Sequence, residues 1–402
     1  MNHTNVRRRD QSGNRNNRLP QPTVYRMVCN GQYNDLLNRI KEFPQDVYWE
    51  DRDGRTALFF VCGAILWSAS PSETTPALEA ILAVDPRLIA KSDRASWTPL
   101  HVVCHKAALH ETVAKLELVC RLVEACPEAV SIRLNAEYCA KTPFHLACES
   151  EIDISALQAM LSVDPSLATQ TCYQGSGGKY GGRCGETPLE LVWKTQMRKP
   201  YESRSTLATT LPKMELLLRA AYFGTIAMDE TTNGDARQRP FWLLQAVCSI
   251  RCPRDYASQM LSLHREEMSV PDHRTGWLPL HYAILSAQEQ DTTAYTSFLI
   301  ERLLEECPNA SMVPFRPRGN LLPLHVLVAD RAMTWHNGGV QQLAWASHAS
   351  VLIAPDPRSR LVPALESAIH AFKSRQHLST TFELLRLAPQ VLQEGFFSLS
   401  GH

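Results

Sequence analysis

The chain has 402 residues, and its 41 Lys and Arg balance its 41 Asp and Glu, so the formal net charge is zero. A hydrophobic fraction of 44% and a charged fraction of 20% exclude the composition of a disordered protein. Bulk electrostatics do not draw a neutral chain to nucleic acid or to an anionic membrane, so neither is expected as a partner. The sequence contains no run of 18 apolar residues, and no membrane span is predicted.

The polar segment 1–22 is predicted to be a disordered tail. Its basic run at 7–9 is not followed by an apolar stretch, so the segment does not match a secretory signal. Twelve cysteines in a chain without such a signal predict reduced thiols, which the cytosol and the nucleus maintain, and hence a cytoplasmic or nuclear location. Residues 23–50 carry a helical apolar pattern around Leu36 and Ile40 and are predicted to form N-terminal capping helices.

A repeated motif follows this segment. Its best copies contain Thr-Pro-Leu-His or Thr-Pro-Phe-His, and the residue at the Thr position serves as the anchor of each copy. The anchors are Thr56, Thr98, Thr142, Thr187, Trp242, Leu278, Leu322 and Val362. Successive anchors are 42, 44, 45, 55, 36, 44 and 40 residues apart. Eight copies at this spacing indicate one repeat array, assigned to 51–394, with a frayed end at 395–402.

Each copy has the same predicted local structure. An anchor Thr is a good N-cap, and the proline that follows six of the eight anchors suits the first helical position. A second helix is predicted from apolar residues at helical spacing, such as Leu116, Val119, Cys120 and Val123. Prolines end these second helices, because proline disfavours helical geometry in the residue before it. They are Pro86, Pro127, Pro165, Pro308, Pro355 and Pro389.

The motif Gly-x-Thr-Pro-Leu-His resembles the start of an ankyrin repeat, and the segment from Asp51 to Thr56 resembles the finger turn of that family. The resemblance implies an all-α solenoid of about eight helix-turn-helix units with short finger loops. It also implies a non-catalytic scaffold or adaptor that binds a protein partner on its concave or finger face. The repeats are about 44 residues long rather than the usual 33, which requires longer helices or longer loops. HEAT repeats, with a period of about 40 to 47, are the alternative fold.

Histidine and cysteine recur at fixed positions of the repeat. His101, His145, His281 and His325 lie three residues after their anchors, and the resemblance implies a structural role in bonding to nearby backbone. Cysteines six residues after an anchor are predicted to pack as small apolar residues between the helices of a repeat. They are Cys62, Cys104, Cys148 and Cys248.

Two features are compatible with a ligand or a metal ion. The first is the cluster His101, Cys104 and His105, which shares one helix face, although core packing is the favoured interpretation. The second is the glycine-rich loop from Gly175 to Gly185, which lacks the Ser or Thr that a phosphate-binding P-loop requires after its Lys. We therefore predict no catalytic residues, no metal and no cofactor.

An arginine column is the candidate partner-binding site. Arg52, Arg94, Arg274, Arg318 and Arg358 all lie four residues before an anchor, where stacked repeats would align them along the finger tips. Trp97 and Trp277 lie directly before their anchors and join the candidate site, since Trp and Arg are frequent interface anchors. The partner is expected to be a protein with an acidic surface. Nucleic-acid binding through the same column is the alternative, and a solvated turn tip is the simplest interpretation.

Overall fold

The structure is a computed structural model. It describes residues 23–67, 71–106, 113–150, 152–172, 185–198, 207–224, 242–272, 275–289, 293–315, 320–329, 333–347, 349–357, 361–371 and 375–391. The predicted tail at 1–22 and the predicted frayed end at 395–402 lie outside the described residues, and the array boundaries stay a prediction. The chain divides into two compact units, the first of residues 1–163 and 172–184 and the second of residues 164–171 and 185–402.

The first compact unit contains eight described α-helices. They are α1 Thr23–Cys29, α2 Tyr33–Glu42, α3 Ala57–Trp67, α4 Pro71–Val84, α5 Pro99–Lys106, α6 Val113–Ala125, α7 Pro143–Glu149 and α8 Ile154–Val163. After α1 and α2, the helices form pairs that each belong to one repeat.

The second compact unit contains eleven described helices, which form five further pairs and one additional short helix, α17. They are α9 Pro188–Arg198, α10 Leu207–Phe223, α11 Leu243–Ser249, α12 Arg254–Leu263, α13 Pro279–Glu289, α14 Thr293–Glu306, α15 Pro323–Val328, α16 Val340–Ala346, α17 Ala349–Ile353, α18 Pro363–Ala371 and α19 Arg375–Leu387. The described residues form no β-strand, only isolated bridges. The predicted all-α helical repeat is therefore confirmed.

All eight first helices begin at the residue after the anchor, as predicted. Thr98 and Thr142 accept a hydrogen bond from the amide three residues on, and Thr187 does the same from Glu190, whose carboxylate accepts from the Thr187 amide at 2.8 Å. The N-cap prediction is wrong for Thr56. Its hydroxyl is buried and has no partner in the part of the chain that the structure describes, because the Phe59 amide donates to the Thr56 carbonyl oxygen instead.

Matching helices of successive repeats pack on one another within each compact unit. In the first unit α5 lies against both α3 and α7, and α6 lies against α8. In the second unit α13 lies against both α11 and α15, and α14 lies against both α12 and α16. Within each unit, neighbouring repeats thus bury their apolar faces against one another, which is the packing that a helical repeat requires.

A 3₁₀ turn follows the second helix, and the sequence pattern did not reveal it. The prolines end the second helices as predicted, but four of them, together with Pro44, begin such a turn. The turns are Pro44–Tyr48, Pro86–Ile89, Pro127–Ser131, Pro165–Ala168, Arg265–Ser269 and Pro308–Met312. Apolar residues of these turns, such as Ile89 and Leu167, are fully buried. Part of the extra length over a 33-residue repeat is therefore an added turn that contributes to the core.

No helix in the described part of the chain is both long enough and apolar enough to cross a membrane.

The position of Leu100 makes a stability prediction. Leu100 is fully buried on α5, between α3 and α7. Leu100→Ala should lower the free energy of unfolding by about 2 to 5 kcal/mol, because the truncation leaves a cavity. Urea denaturation followed by circular dichroism measures the change. Leu263, which is 64% exposed, is the matched control, and Leu263→Ala should change stability by less than about 0.5 kcal/mol. Equal effects of the two substitutions would contradict the assigned repeat register.

Candidate protein-binding surface

Aspartate side chains build the finger turns that precede the first helices. The Asp51 carboxylate accepts hydrogen bonds from the amides of Asp53 and Arg55 at 2.8 and 2.9 Å. In the next finger, the Asp93 carboxylate accepts from the amides of Ala95 and Trp97 at 2.9 and 2.8 Å. Asx turns of this kind fold the chain back tightly. The finger turn is therefore set by an Asp that the sequence analysis did not single out.

A glycine or a polar residue completes each of these turns with a left-handed backbone. Gly54 has a φ of +82°, and Ser96 has a φ of +67° at the equivalent place. Neighbouring fingers are joined through their backbones, since the Arg94 amide donates to the Asp53 carbonyl oxygen at 2.8 Å. The first two fingers therefore hold a fixed position relative to each other.

Arg52 and Arg94 lie at the exposed tips of these two fingers. Neither guanidinium makes a hydrogen bond or an ion pair with another residue of the described chain. The other basic groups nearby are paired: Arg55 with Asp51 and Asp53, and Lys91 with Glu50. Two of the five arginines are thus unpaired within the described chain and lie on adjoining fingers. Arg274, Arg318 and Arg358 lie outside the described residues.

Pairing between Asp51 and Arg55 at the base of the first finger shifts the pKa values of both residues. Burial opposes the charged form of Asp51, but hydrogen bonds from the Arg55 backbone and side chain outweigh it and lower the pKa of Asp51. Burial likewise opposes the charge of Arg55, and the bond to Asp51 outweighs it and raises the pKa of Arg55. The Asp51 carboxylate is therefore ionised and engaged by Arg55, which leaves Arg52 and Arg94 as the cations of these fingers that are open to a partner.

Trp97 and Trp277 are partly buried and pack between repeats. The Trp97 ring lies 5.8 Å from the Tyr138 ring and 5.3 Å from the His105 ring. The Trp277 ring lies 5.7 Å from Phe315, and its buried Nε1 has no hydrogen-bond partner among the described residues. Both tryptophans thus contribute to repeat packing, and only their remaining exposed parts are open to a partner.

A further aromatic group stands beside the first finger. Tyr25 of α1 lies 5.6 Å from Trp49 and 4.7 Å from Phe60, measured between ring centroids. All three are partly exposed, and the Arg55 guanidinium lies over the Phe60 ring at 5.4 Å. The sequence analysis missed this group because its members come from three separate segments.

A side-chain contact joins each of three fingers to its own first helix. In each of these repeats, the residue directly before the anchor contacts the residue that lies seven positions after the anchor. In the second repeat the pair is Trp97 and His105. In the third repeat Lys141 pairs with Glu149 at 2.6 Å, and in the fourth Glu186 pairs with Lys194 at 2.5 Å. The two repeat positions are the same in all three repeats, although the chemistry of the contact differs.

Three of the recurring histidines, His101, His281 and His325, connect their repeat to the following one. Their Nδ1 atoms accept from the anchor amide, at 3.2 Å in His101, 2.8 Å in His281 and 3.2 Å in His325. Their Nε2 atoms contact carbonyl oxygens of the following repeat, namely those of Lys141, Val313 and Ala354 at 3.3, 2.8 and 2.8 Å. Gln245 occupies the same position and donates to the Val270 carbonyl oxygen at 3.3 Å. The predicted structural role of the histidines is confirmed.

These contacts fix the protonation state of the histidines. An amide N–H only donates and a carbonyl only accepts, so Nδ1 must accept and Nε2 must carry the proton. Burial lowers the pKa of His101 to about 4 and also lowers the pKa of His281, despite hydrogen bonds to backbone carbonyls that act in the opposite direction. Both rings are therefore neutral at physiological pH.

The cluster of His101, Cys104 and His105 is a packing arrangement in the structure. His101 is committed at both ring nitrogens, Cys104 is fully buried, and His105 is exposed beside Trp97. Among the described residues, no three His, Cys, Asp or Glu side chains are arranged to hold a metal ion. The glycine-rich loop lies outside the described residues except for Gly185.

The cysteines six residues after the anchor are core residues, as predicted. Cys62, Cys104, Cys148 and Cys248 are at most 3% exposed. Burial raises the pKa of Cys62 to about 12 and raises those of Cys104 and Cys248 as well. These three thiols are therefore protonated, and a protonated thiol is a poor nucleophile.

Comparison with known proteins adds little to this description. No family model matches the chain, and no curated protein matches it. Among solved structures, it is similar to the ankyrin repeat domain of Bcl-3, described as a unique member of the IkappaB protein family. The identity is 14%, the match covers 84% of this chain and 100% of that chain, and the TM-score is 0.26. A TM-score this low supports no conclusion, so the repeat assignment depends on the helices and contacts described above.

The buried His101 predicts that stability falls in mild acid. Its pKa is about 4 in the folded state and about 6.5 in an unfolded chain, so the unfolded state binds more protons between these values. The contribution of His101 is complete above about pH 6.5 and is lost as the pH falls towards 4. Lowering the pH from 7 to 5 should cost about 1 to 2 kcal/mol through this residue, and His101→Gln should remove that part of the pH dependence.

Urea denaturation of the full chain at pH 7 and at pH 5 measures the difference. His105→Gln is the matched control, because His105 lies on the same helix but is exposed. The control should keep the pH dependence of the unsubstituted chain. An identical pH dependence in His101→Gln would show that this imidazole does not titrate with folding.

Proposed function

We propose that this chain is a non-catalytic scaffold or adaptor of the ankyrin type, which binds an acidic protein partner along its finger tips. The finger edge is defined here by Arg52 and Arg94, with the exposed part of Trp97 beside them. A stack of repeats offers a long surface on which neighbouring fingers act together. The ankyrin assignment depends on the Thr-Pro-Leu-His starts, the Asp-built fingers and the paired helices.

The unpaired state of Arg52 and Arg94 is the observation that supports this proposal most directly. Both side chains are exposed, whereas the neighbouring Arg55 and Lys91 are engaged by acidic residues of the same surface. Arginine presents a planar fork of donors that binds a carboxylate through two parallel hydrogen bonds. The guanidinium groups of Arg52 and Arg94 are therefore available to acidic side chains of a partner. The backbone hydrogen bond between the two fingers holds the fingers at a fixed separation.

The composition of this surface favours a protein over a nucleic acid. The acidic residues Asp51, Asp53 and Asp93 lie within the same two fingers as Arg52 and Arg94. A phosphate backbone needs a dominant positive field, which alternating signs do not supply. Trp, Tyr and Arg together are typical of the residues that anchor protein interfaces. The same expectation extends to Arg274, Arg318 and Arg358, because they also lie four residues before an anchor.

Catalysis is not part of the proposal, because the candidate groups are already committed. His101 and His281 use both ring nitrogens to hold backbone groups, and the thiols of Cys62, Cys104 and Cys248 are protonated in the core. A general base or a nucleophile must instead reach a substrate.

Reversing the two fingertip charges tests the proposal. Arg52→Glu with Arg94→Glu should slow association with the partner about tenfold or more and should weaken its salt dependence, because rim charges act mainly on the association rate. The melting temperature should stay nearly unchanged, since both side chains are exposed and unpaired. The measurement is recovery of partners from cell extract by mass spectrometry, followed by binding kinetics with the recovered protein.

The control changes the net charge by the same amount at another place. Arg26→Glu with Lys41→Glu alters exposed basic residues of α1 and α2 that lie outside the fingers. A partner that is recovered by the unsubstituted chain and by this control, but not by the fingertip variant, supports the finger edge. A partner that binds the fingertip variant at the original rate would contradict the proposed surface.

A further inference from the structure

The first three fingers, which precede α3, α5 and α7, carry charges of different sign that the chain leaves unpaired. All three belong to the first compact unit. Arg52 and Arg94 are exposed on the first and second fingers and are unpaired within the described chain. Glu137 is exposed at the tip of the third finger, and its carboxylate makes no hydrogen bond or ion pair with another described residue. The three fingers therefore present two positive charges followed by one negative charge.

The backbone of the fingers sets the distance between these charges. The first finger is a narrow loop of two chain segments, closed by the bond from the Asp51 amide to the Arg55 carbonyl oxygen at 3.0 Å, and the second finger is closed in the same way at 2.8 Å. The bond from the Arg94 amide to the Asp53 carbonyl oxygen places the two loops edge to edge. Hydrogen-bonded extended segments lie about 4.8 Å apart, so two segments per finger give a spacing of about 9.6 Å between fingers.

The third finger continues this row. Its first helix α7 packs on α5, as α5 packs on α3, and packed helices lie about 8 to 10 Å apart. The Tyr138 ring of the third finger lies 5.8 Å from the Trp97 ring of the second. Helix packing and finger backbone thus give the same result, a row of three charges about 9 to 10 Å apart.

A polyproline II segment of a partner matches this spacing. It has three residues per turn and rises about 3.1 Å per residue, so every third side chain lies on one face, about 9.3 Å from the next. A β-strand spaces the side chains of one face by about 6.6 or 13 Å, and an α-helix spaces them by about 5.4 or 10.5 Å. Of the three conformations, polyproline II comes closest to placing one side chain on each finger.

Aromatic rings beside the charges suit a segment that is rich in proline. Trp97 and Tyr138 are partly exposed where the second and third fingers meet, and Tyr25, Trp49 and Phe60 are partly exposed beside the first finger. Proline-rich segments dock on surfaces lined by aromatic rings, and their preformed helix loses little entropy on binding. The rings and the row of charges therefore indicate the same conformation of the partner.

We propose that the finger edge, together with Glu137, binds a proline-rich partner segment that carries two acidic residues and then a basic one at intervals of three. The acidic residues pair with Arg52 and Arg94, and the basic residue pairs with Glu137. This inference rests on the proposed function and adds the order of charge that the partner must carry. Segment 1–22 of the chain itself is not complementary to the two arginines, because it contains five arginines and a single acidic residue.

Two synthetic peptides of equal composition test the order of charge. The matched peptide is Glu-Pro-Pro-Glu-Pro-Pro-Lys. The scrambled peptide is Glu-Pro-Pro-Lys-Pro-Pro-Glu, which sets its Lys against Arg94 in either chain direction. Fluorescence anisotropy of labelled peptides with the full chain at about 50 mM salt, where screening is weak, measures both affinities. The matched peptide should bind about tenfold more tightly, because two of its contacts change from repulsion to attraction.

Charge reversal on the third finger gives an independent measurement. Glu137→Arg should lower the affinity for the matched peptide about fivefold and should raise the affinity for Glu-Pro-Pro-Glu-Pro-Pro-Glu by about the same factor. Glu42→Arg is the matched control, because it reverses an exposed and unpaired Glu of α2 that lies outside the fingers. The control should change neither affinity.

A third peptide tests the conformation of the segment. Glu-Gly-Gly-Glu-Gly-Gly-Lys keeps the charges and their spacing in sequence but loses the preformed helix, so it should bind about fivefold more weakly than the matched peptide. Equal affinities of these two peptides would contradict the polyproline II geometry and would overturn the proposal.

The order of charge fails if the unsubstituted chain binds the matched and scrambled peptides equally, or if Glu137→Arg keeps the original preference. No binding of the matched peptide at up to about 1 mM would overturn the proposal as well. So would undiminished binding of that peptide to the variant with Arg52→Glu and Arg94→Glu. The proposed function is decided separately, by whether the unsubstituted chain recovers a protein partner from cell extract that this variant does not.

Discussion

Burial of neighbouring repeats against one another within each compact unit is the interaction on which this structure depends. The first helices are short, and α7 and α11 have only seven residues each, well below the length at which a helix is stable in water by itself. Their stability must come from tertiary packing. The buried side chain three residues after the anchor makes this packing specific, because His281, His325 and Gln245 each satisfy a carbonyl of the following repeat. A repeat without its neighbour would lose both its apolar cover and this hydrogen bond.

Much of the fold was accessible from the sequence because its signals are local. An N-cap, a proline at the first helical position and an apolar stripe act within one turn of helix, and all eight first helices begin where these signals place them. The 3₁₀ turns were not accessible in this way. A proline in the sequence indicates that a helix ends. It does not indicate that Ile89 or Leu167 after it is buried, because that burial depends on a neighbouring repeat. Thr56 shows the same limit, since its sequence position predicts an N-cap but its hydroxyl does not accept the capping hydrogen bond.

The candidate surface was accessible only in part. The exposure of Arg52 and Arg94 follows from their place in a turn. Their lack of ion pairs does not, because Asp51 and Asp53 are closer in sequence to Arg52 than to Arg55, yet they bind Arg55. Trp97 was expected to contact a partner, yet its ring packs against Tyr138 and His105. The geometry of the side chains determines which residues form ion pairs or ring contacts, and the spacing of residues in the sequence does not contain that geometry.

The contacts between finger roots and first helices have a consequence for recombining this protein. Lys141 faces Glu149 in the third repeat, whereas Glu186 faces Lys194 in the fourth, so the two repeats use the same contact with opposite polarity. A finger grafted from the third repeat onto the helix of the fourth would set lysine against lysine, and the reverse graft would set glutamate against glutamate. The module that can be exchanged is therefore a finger together with the helix that follows it. Either part by itself carries only half of a matched pair, so the two must drift together as the sequence evolves.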